Sequence, residues 1–302
     1  MNKLIMMVGL VGSGKSHYAK IIAEKENATI VSSDKLRIEL FGDVNNMDNN
    51  GEVFNTLHKR VKDLLKSGKS VVIDATNLGY NKRIGFLEEV KKIKCCKECY
   101  LIATPYEKCL EQNSKRDRKV PEHVIKRMYE SITIPQMFEG WDNIHIIYNI
   151  EKMEFDINEL FNGENGLNKI DQENPHHTLT IGEHCRRCND ICDELVENDN
   201  LVMASLFHDI GKRFTKEFKD SKGEISEMAH YFNHEFVSAY DCLFYLMNLE
   251  QDDLLMIIEY ITFHMRIFDM DTEKAKRKFI RLVGQEVYNN LLILHEADVN
   301  AK

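Results

Sequence analysis

The segment Gly9–Ser16, which reads GLVGSGKS, constrains the fold of this chain more than any other stretch. It matches the phosphate-binding pattern G-x-x-x-x-G-K-[ST] in full. An apolar run, Leu4–Val8, precedes it, and a helix-compatible stretch, Lys15–Glu26, follows it. Because this is the strand–loop–helix context that the pattern needs, the sequence predicts an α/β domain that binds ATP or GTP.

The residue types of this loop predict how it would hold a nucleotide. Its glycines let backbone N–H groups turn toward the phosphates, and the following helix N-terminus adds partial positive charge. Lys15 is expected to reach the β- and γ-phosphates, and Ser16 to hold Mg²⁺. The predicted nucleotide-binding residues of the loop are Gly9, Gly12, Ser13, Gly14, Lys15 and Ser16.

Composition narrows the class of protein. The 302 residues are enough for two domains, each with its own core. The net charge of −9 argues against a broad nucleic-acid-binding surface but allows a small basic site. No stretch approaches the ~20 apolar residues of a membrane span. Eight cysteines without a secretory signal favour free thiols in a cytoplasmic protein that has no membrane partner.

The order of predicted elements divides the chain. Five β-type runs alternate with helical patterns in the first half, which is typical of a parallel sheet covered by helices on both faces. These runs are Leu4–Val8, Thr29–Ser33, Ser70–Asp74, Cys99–Thr104 and Ile144–Tyr148. From Thr178 onward the pattern is helical throughout. We therefore predict a P-loop domain over 1–150, a linker over 151–174 and an all-α domain over 175–302.

Polar residues follow the third predicted strand. Asp74 ends an apolar run, so it could bind Mg²⁺ directly or through water, or simply cap the next turn. Thr76 and Asn77 come next, at the carboxyl end of the sheet, where ligands bind in such folds. We assign Asp74, Thr76 and Asn77, together with Arg83 on the following helical pattern, to the substrate side.

The end of the second predicted strand supplies a candidate general base. An ionised Asp34 there could accept the proton of an attacking hydroxyl, and Arg37 could hold an anion on the acceptor. Asp34 as a helix N-cap with a solvated arginine neighbour explains the same residues. Position alone leaves both interpretations open.

The basic segment 115–121 precedes a helical pattern. Such a segment could close over the nucleotide and neutralise the charge that develops on the transferred phosphoryl group. A solvated turn, set by Pro121 at the first position of a helix, is the structural alternative.

Residues 1–148 resemble the polynucleotide 5′-kinase family through the joint occurrence of five motifs. These are the phosphate loop, SSDKLR, VIDATN, KRDRKVP and EGWD. The resemblance implies that Asp34 is the general base on the 5′-hydroxyl and that Arg37 holds the acceptor's 3′-phosphate. It further implies that a lid arginine, Arg116 or its near neighbour Arg118, touches the nucleotide phosphates, with ATP and Mg²⁺ as cofactors.

A His-Asp pair marks the second half. His208 and Asp209 follow an apolar helical stretch, and both can reach one ion beside the helix end. His184 lies one element earlier and Asp298 on the last predicted helix. Two imidazoles and two carboxylates suit Mn²⁺, Fe, Co or Ni better than a structural zinc. Lys212, beside the pair, could act in catalysis by binding a phosphate oxygen.

Residues 176–302 resemble the HD phosphohydrolase superfamily in the order of their histidines and aspartates. The resemblance implies that His184, His208, Asp209 and Asp298 bind one metal ion. It implies a possible second ion at His234 and His264, and a substrate-side position for His177. From the residues alone, a plain structural role is an equal interpretation for four histidines: His230, His234, His264 and His295.

The two resemblances together imply an RNA end-healing enzyme that acts on RNA or DNA ends. Its kinase would phosphorylate a 5′-hydroxyl, and its metal site would remove a 2′,3′-cyclic phosphate or 3′-phosphate. The healed ends would then suit a separate RNA ligase. Three alternatives stay open: a small-molecule kinase fused to a nucleotidase, an ATP-gated regulator of the HD module, and an HD module that only binds RNA.

Overall fold

The structure is a computed structural model that describes residues 1–46, 48–151, 153–175, 178–268 and 270–302. The chain divides into two units. The first comprises residues 1–128 and 134–151, and the second comprises residues 129–133 and 152–302. The predicted substrate-side residue His177 lies outside the described residues. Within the described ranges, no helix combines the length and apolar character that crossing a membrane requires.

The first unit is built on a parallel sheet. Its described strands pair in the order β2-β3-β1-β4-β5, and every pairing is parallel. The strands are β1 Lys3–Val8, β2 Thr29–Ser32, β3 Val71–Asp74, β4 Cys96–Ala103 and β5 Asn143–Tyr148. They confirm the five predicted strands, because runs such as Leu4–Val8 are fully apolar and lie buried in the sheet.

Helices follow the strands of the first unit. They are α1 Lys15–Lys25, α2 Ser33–Phe41, α3 Asn50–Lys66, α4 Tyr80–Val90, α5 Tyr106–Ser114 and α6 Glu122–Tyr129. The core forms where α1 packs its buried Ala19 and Ile22 against Ile5 and Val72 of the sheet. Parallel strands all end at one edge, so this packing places the loops after β1, β2 and β3 side by side.

The second unit is mainly helical. Its helices are α7 Ile157–Asn162, α8 Ile181–Leu195, α9 Asp199–Phe207, α10 Lys212–Thr215, α11 His234–Tyr245, α12 Gln251–Phe263, α13 Glu273–Val283 and α14 Gln285–Asn300. The predicted linker 151–174 contributes α7 and a 3-10 turn, Leu167–Lys169, and Leu160 and Phe161 are buried there. Its described residues from 153 onward group with this unit.

A two-stranded antiparallel hairpin interrupts the helices of the second unit. It pairs β6 Glu217–Lys219 with β7 Ile225–His230, so the prediction of a helical pattern throughout this region was wrong. The turn is set by Asp220, whose carboxylate accepts the backbone N–H of Lys222, and by Gly223 at φ +83°. Because His230 ends β7, it does not share a helix face with His234.

Helix α8 begins at a reciprocal cap. The Thr180 hydroxyl accepts the Glu183 backbone N–H, and the Glu183 carboxylate accepts the Thr180 backbone N–H. The buried face of the helix carries His184 and three cysteines at helical spacing, Cys185, Cys188 and Cys192. All eight cysteines of the chain are free thiols, as predicted.

We expect Thr180→Ala to lower the free energy of unfolding of the second unit by about 1 kcal/mol, because it removes the helix cap. Thr180→Ser keeps the hydroxyl and should retain most of the stability. Urea denaturation followed by far-ultraviolet circular dichroism measures the difference. Equal midpoints for the alanine variant and the unchanged protein would contradict a stabilising role for the cap.

Candidate active sites

The phosphate loop has a backbone that only glycine tolerates at its centre. Gly12 has φ +84°, and a Cβ there would lie 2.2 Å from the backbone oxygen of Cys109 on α5. Both facts exclude a side chain, so the loop keeps its N–H groups open to an anion. The loop then enters α1, whose first residue is Lys15.

Lys15 is buried beneath the loop. Its Nζ donates to the Leu10 carbonyl oxygen at 2.6 Å. Burial lowers the pKa of Lys15 to about 8; Asp74 opposes this shift, and the charge of Arg116 adds to it. A bound triphosphate would favour the charged form again, because a nearby anion raises the pKa of an ammonium group.

The two predicted Mg²⁺ ligands lie together. Ser16 Oγ donates to Asp74 Oδ2 at 2.9 Å. Hydroxyl and carboxylate oxygens are ligands that Mg²⁺ takes in nucleotide sites, so the donor set fits the ion. The loop after β3 is fixed beside them, since Asn77 Nδ2 donates to the Met7 carbonyl oxygen at 2.8 Å and Thr76 accepts the Gly9 N–H through its carbonyl. The side-chain amide of Asn77 thus holds the loop after β3 in place.

Asp34 lies in the first turn of α2 and does not cap the helix, because Ser32 occupies the N-cap position. Its carboxylate is partly exposed and accepts from two guanidinium groups. Arg37 Nη1 lies 3.2 Å from Oδ1, and Arg118 Nη1 lies 2.9 Å from Oδ2. The Asp34 charge also acts on Lys15, where it raises the pKa. The structure therefore brings a candidate base, two cations and the phosphate loop into one region.

The guanidinium group of Arg37 is held in place and keeps an N–H donor for an anion. Its side chain is buried, and Nη2 donates to Asn50 Oδ1 at 2.5 Å. Its Nε is buried with no hydrogen-bond partner among the described residues. Burying an N–H donor of a charged group without a partner costs free energy, and a phosphate of the acceptor substrate would provide the missing hydrogen bond. Sequence reasoning missed Asn50, since nothing in the sequence pairs it with Arg37.

The two candidate lid arginines have different neighbours. Arg118 pairs with Asp34 and donates its Nε to Asn45 Oδ1 at 3.0 Å. Arg116 is exposed, and its charge acts on Lys15. Arg116 thus acts on the lysine of the phosphate loop, whereas Arg118 contacts the candidate base Asp34.

Arg83 corrects one prediction. Only 1% of it is exposed, and its guanidinium forms two hydrogen bonds with the Glu139 carboxylate, at 2.6 and 2.7 Å. Its Nη1 also donates to the carbonyls of Asn77 and Leu78. All three guanidinium nitrogens of Arg83 form hydrogen bonds that hold the loop after β3. This placement contradicts the predicted contact between Arg83 and the substrate.

The second unit brings together four predicted metal ligands from three places in the chain. His184 lies on α8, His208 and Asp209 directly follow α9, and Asp298 lies on α14. Nε2 of His184 lies 3.2 Å from Asp209 Oδ2 and 3.1 Å from Asp298 Oδ1. Two ligand atoms that bind the same ion at about 2.0–2.2 Å lie at such distances from each other. These four side chains form one group that could hold a metal ion.

A second group shares Asp209. Its Oδ1 lies 3.0 Å from His234 Nε2 and 3.7 Å from His264 Nε2. The two imidazoles belong to α11 and to the end of α12, and both are buried. Asp209 therefore directs one oxygen toward each group, so it could supply a ligand to an ion held by either group.

Backbone carbonyls fix the tautomer of all four imidazoles. Each Nδ1 donates to a carbonyl oxygen, at 2.6 to 2.9 Å. The acceptors are the carbonyls of Ala301, Ser205, Tyr231 and Ile261. Because a carbonyl only accepts, Nδ1 carries the proton and Nε2 is left to bind a cation.

The donor set fits a divalent metal ion. The Nε2 atoms of His184 and His208 face each other at 3.3 Å, and those of His234 and His264 at 3.2 Å. Two facing lone pairs at this distance repel each other, and a proton on one nitrogen or a bound cation removes the repulsion. Burial lowers the pKa of His208, but Asp209 and Asp298 outweigh burial and raise it to about 10. The carboxylates thus make this centre attractive to positive charge.

Lys212 lies beside the shared carboxylate. Its Nζ is 2.6 Å from Asp209 Oδ2 and donates to Gln172 Oε1 at 2.9 Å. The ammonium group is buried next to both candidate metal groups, where it could also meet a phosphate oxygen. The other two singled-out histidines lie outside the groups: His230 Nε2 lies 3.1 Å from Ser226 Oγ, and His295 packs its ring on Phe268.

Comparisons with known proteins agree with this division. Residues 4–135 match the AAA domain family, and residues 181–300 match the HD domain family. The chain therefore joins a P-loop kinase-like domain to an HD domain, and the predicted fold class is confirmed apart from the hairpin.

Individual relatives are distant. An L-seryl-tRNA(Sec) kinase of Methanococcus maripaludis is 28% identical over 226 residues, which are 74% of this chain and 84% of the relative. A UPF0200 protein of Sulfurisphaera tokodaii is 28% identical over 141 residues, 43% of this chain and 77% of that protein. A chain of the Pnkp1/Rnl/Hen1 RNA repair complex superposes with a TM-score of 0.39 at 23% identity, covering 42% of each chain.

The pKa of Lys15 predicts how nucleotide binding depends on pH. Because the free protein holds this pKa at about 8, the ammonium form is lost above that pH. ATP affinity should then fall by up to about tenfold per pH unit until the pKa of the bound state is reached. Calorimetric titration with a non-hydrolysable ATP analogue and Mg²⁺ measures this slope. Lys15→Arg stays charged and should give a flat profile; a flat profile of the unchanged protein would contradict the assignment.

Metal stoichiometry tests the shared carboxylate. We expect about two equivalents of Mn²⁺ per unchanged chain after dialysis, about one for Asp298→Asn or His264→Gln, and none for Asp209→Asn. Mass spectrometry of the bound metal gives the counts. Asp193→Asn on the exposed face of α8 is the matched control and should keep the full complement. Full metal content in Asp209→Asn would refute a shared ligand role for Asp209.

Proposed function

We propose that this chain heals broken RNA ends by two reactions. Its first unit would transfer a phosphoryl group from ATP to a 5′-hydroxyl, and its HD unit would hydrolyse a 2′,3′-cyclic phosphate or a 3′-phosphate. One observation carries the proposal: Asp34 is held between Arg37 and Arg118, and the buried Nε of Arg37 has no hydrogen-bond partner in the part of the chain that the structure describes. A carboxylate with anion-binding arginines suits an acceptor that carries both a hydroxyl and a phosphate, as a nucleic-acid end does.

The kinase reaction divides among the residues of the first unit. Asp34 would accept the proton of the 5′-hydroxyl as it attacks the γ-phosphorus. Lys15 and Arg116 would stabilise the negative charge that develops on the transferred group. Arg37 would hold the neighbouring phosphate of the acceptor, which keeps the hydroxyl in line.

Ser16 and Asp74 would help to position the phosphates of ATP. Their side-chain oxygens would hold Mg²⁺, which neutralises charge on the β- and γ-phosphates when it is bound. The N–H groups of the phosphate loop and the N-terminus of α1 would bind the same oxygens. Arg118 would move from Asp34 toward the acceptor, because the carboxylate must be free to take a proton.

Phosphoester hydrolysis would take place at the two His/Asp groups. A divalent ion bound there, such as Mn²⁺, Fe, Co or Ni, lowers the pKa of a coordinated water. Asp209 and Asp298 would hold the cations, and the Nδ1–carbonyl bonds would keep each imidazole aimed. Lys212 would bind an oxygen of the phosphate, and His177 is proposed on the substrate side.

RNA as the substrate is supported by one relative. The Methanococcus maripaludis protein is named for an acceptor that is linked to tRNA. We propose RNA, rather than DNA, as the preferred substrate for this reason. A separate RNA ligase would be the partner that joins the healed ends.

The acidic net charge favours a second candidate function. A chain with a net charge of −9 binds long polyanions less readily, so a small-molecule kinase fused to a nucleotidase also fits the two domains. In that case mononucleotides should compete with oligonucleotides at equal concentration.

Transfer of label from ATP to 5′-hydroxyl RNA tests the kinase. We expect Mg²⁺-dependent labelling that falls by at least about 10²-fold in Asp34→Asn, because the variant loses its base but keeps its shape. ATP binding should remain in that variant, which separates chemistry from nucleotide affinity. Absence of labelling with the unchanged protein would sink the kinase assignment, and preferential labelling of a nucleoside would favour the small-molecule alternative.

A further inference from the structure

The segment between β7 and α11 holds a candidate metal ligand in place. The Tyr231 carbonyl accepts His234 Nδ1 at 2.6 Å. The Tyr231 hydroxyl donates to the Gln172 carbonyl, and its ring lies 5.5 Å from Lys212 Nζ. Tyr231 therefore belongs to the support of the metal centre, although it binds no ion itself.

The neighbours of Tyr231 form a flat aromatic surface. The rings of His230 and Phe232 are nearly parallel, with an interplanar angle of 3° and centroids 5.6 Å apart. His230 Nε2 is within hydrogen-bond distance of Ser226 Oγ, which fixes the imidazole on the hairpin. Phe232 is 39% exposed. Phe232 lies in the turn that follows β7, and His230 is only half-buried, so the stacked pair presents an aromatic surface at the turn between β7 and α11.

This surface lies close along the chain to a candidate metal ligand, His234. Phe232 precedes His234 by two residues, which is at most about 7 Å of backbone. Asn233 between them has φ +63°, so the chain turns sharply before α11 begins. Single exposed apolar side chains are common on proteins. An exposed phenylalanine that is stacked on a histidine and tethered to a candidate ligand is a more specific feature.

We propose that His230 and Phe232 form a stacking platform for the base of the nucleotide whose phosphate is hydrolysed at the metal centre. The proposal rests on the phosphoesterase activity proposed above and names the part of the substrate that the platform binds. Every nucleobase has a face that stacks on aromatic rings, so the platform would add affinity without selecting a sequence. We expect a contribution of about tenfold in affinity, equivalent to about 1.4 kcal/mol.

Two oligonucleotides that differ in one base test the platform. Both carry a 3′-phosphate, and one lacks the base of its last nucleotide. With the unchanged holoenzyme we expect a KM about tenfold higher for the abasic end, because only the intact end can stack. Phe232→Ala should raise KM for the intact end toward the abasic value, whereas Phe232→Trp, which restores a ring, should keep the low KM.

Phe218→Ala is the matched control. Phe218 lies on β6 of the same hairpin with 43% exposure, and we expect its loss to leave both KM values unchanged. Equal KM values for the two ends with the unchanged enzyme would overturn the platform and leave the phosphoesterase standing. This comparison needs no variant, so it decides the question even if Phe232→Ala fails to fold. Absence of hydrolysis of either end with every tested divalent metal would overturn both proposals.

Discussion

The HD unit depends on one repeated interaction, the hydrogen bond from a histidine Nδ1 to a backbone carbonyl. It determines which nitrogen of each imidazole faces the others, and so turns four buried rings into four aligned candidate ligands. Three of the acceptors lie three residues before the histidine in the chain, namely Ser205, Tyr231 and Ile261. His208 and His264 occur where a helix ends, and the last carbonyls of a helix lack backbone partners. The same bond therefore completes a helix end and prepares a ligand.

The first unit obtains its site from sheet geometry instead. Parallel strands bring the ends of β1, β2 and β3 to one edge, where each strand places a different part of the candidate site: the phosphate loop, Asp34 and Asp74. The buried Arg83–Glu139 pair holds the loop after β3 from behind. A charged pair with such burial is costly unless fully hydrogen-bonded, and here the remaining donor groups reach backbone carbonyls.

Local patterns account for what the sequence could predict. The phosphate loop and each of the five apolar strands are uninterrupted stretches of sequence, so a local pattern is enough to predict them. The order of His184, His208, Asp209 and Asp298 likewise indicates the right ligand types within one unit. The sequence could not predict contacts between residues that are far apart in the chain. Arg83 was predicted to contact substrate because its partner, Glu139, lies 56 positions later. The β6–β7 hairpin was missed because its strands are short and largely polar.

The segment 153–175 illustrates why sequence distance misleads. Its 3-10 turn packs so tightly on the start of α8 that a Cβ at Gly182 would meet Asn168 Oδ1 at 2.2 Å. Gln172 in the same segment accepts from both Lys212 and Tyr231. A recombination event that transplanted only the stretch from α8 onward would leave the HD module without the backing of its first helix and of its buried lysine. An HD module that keeps these contacts therefore has to include the segment before α8 that the sequence pattern marks as a linker.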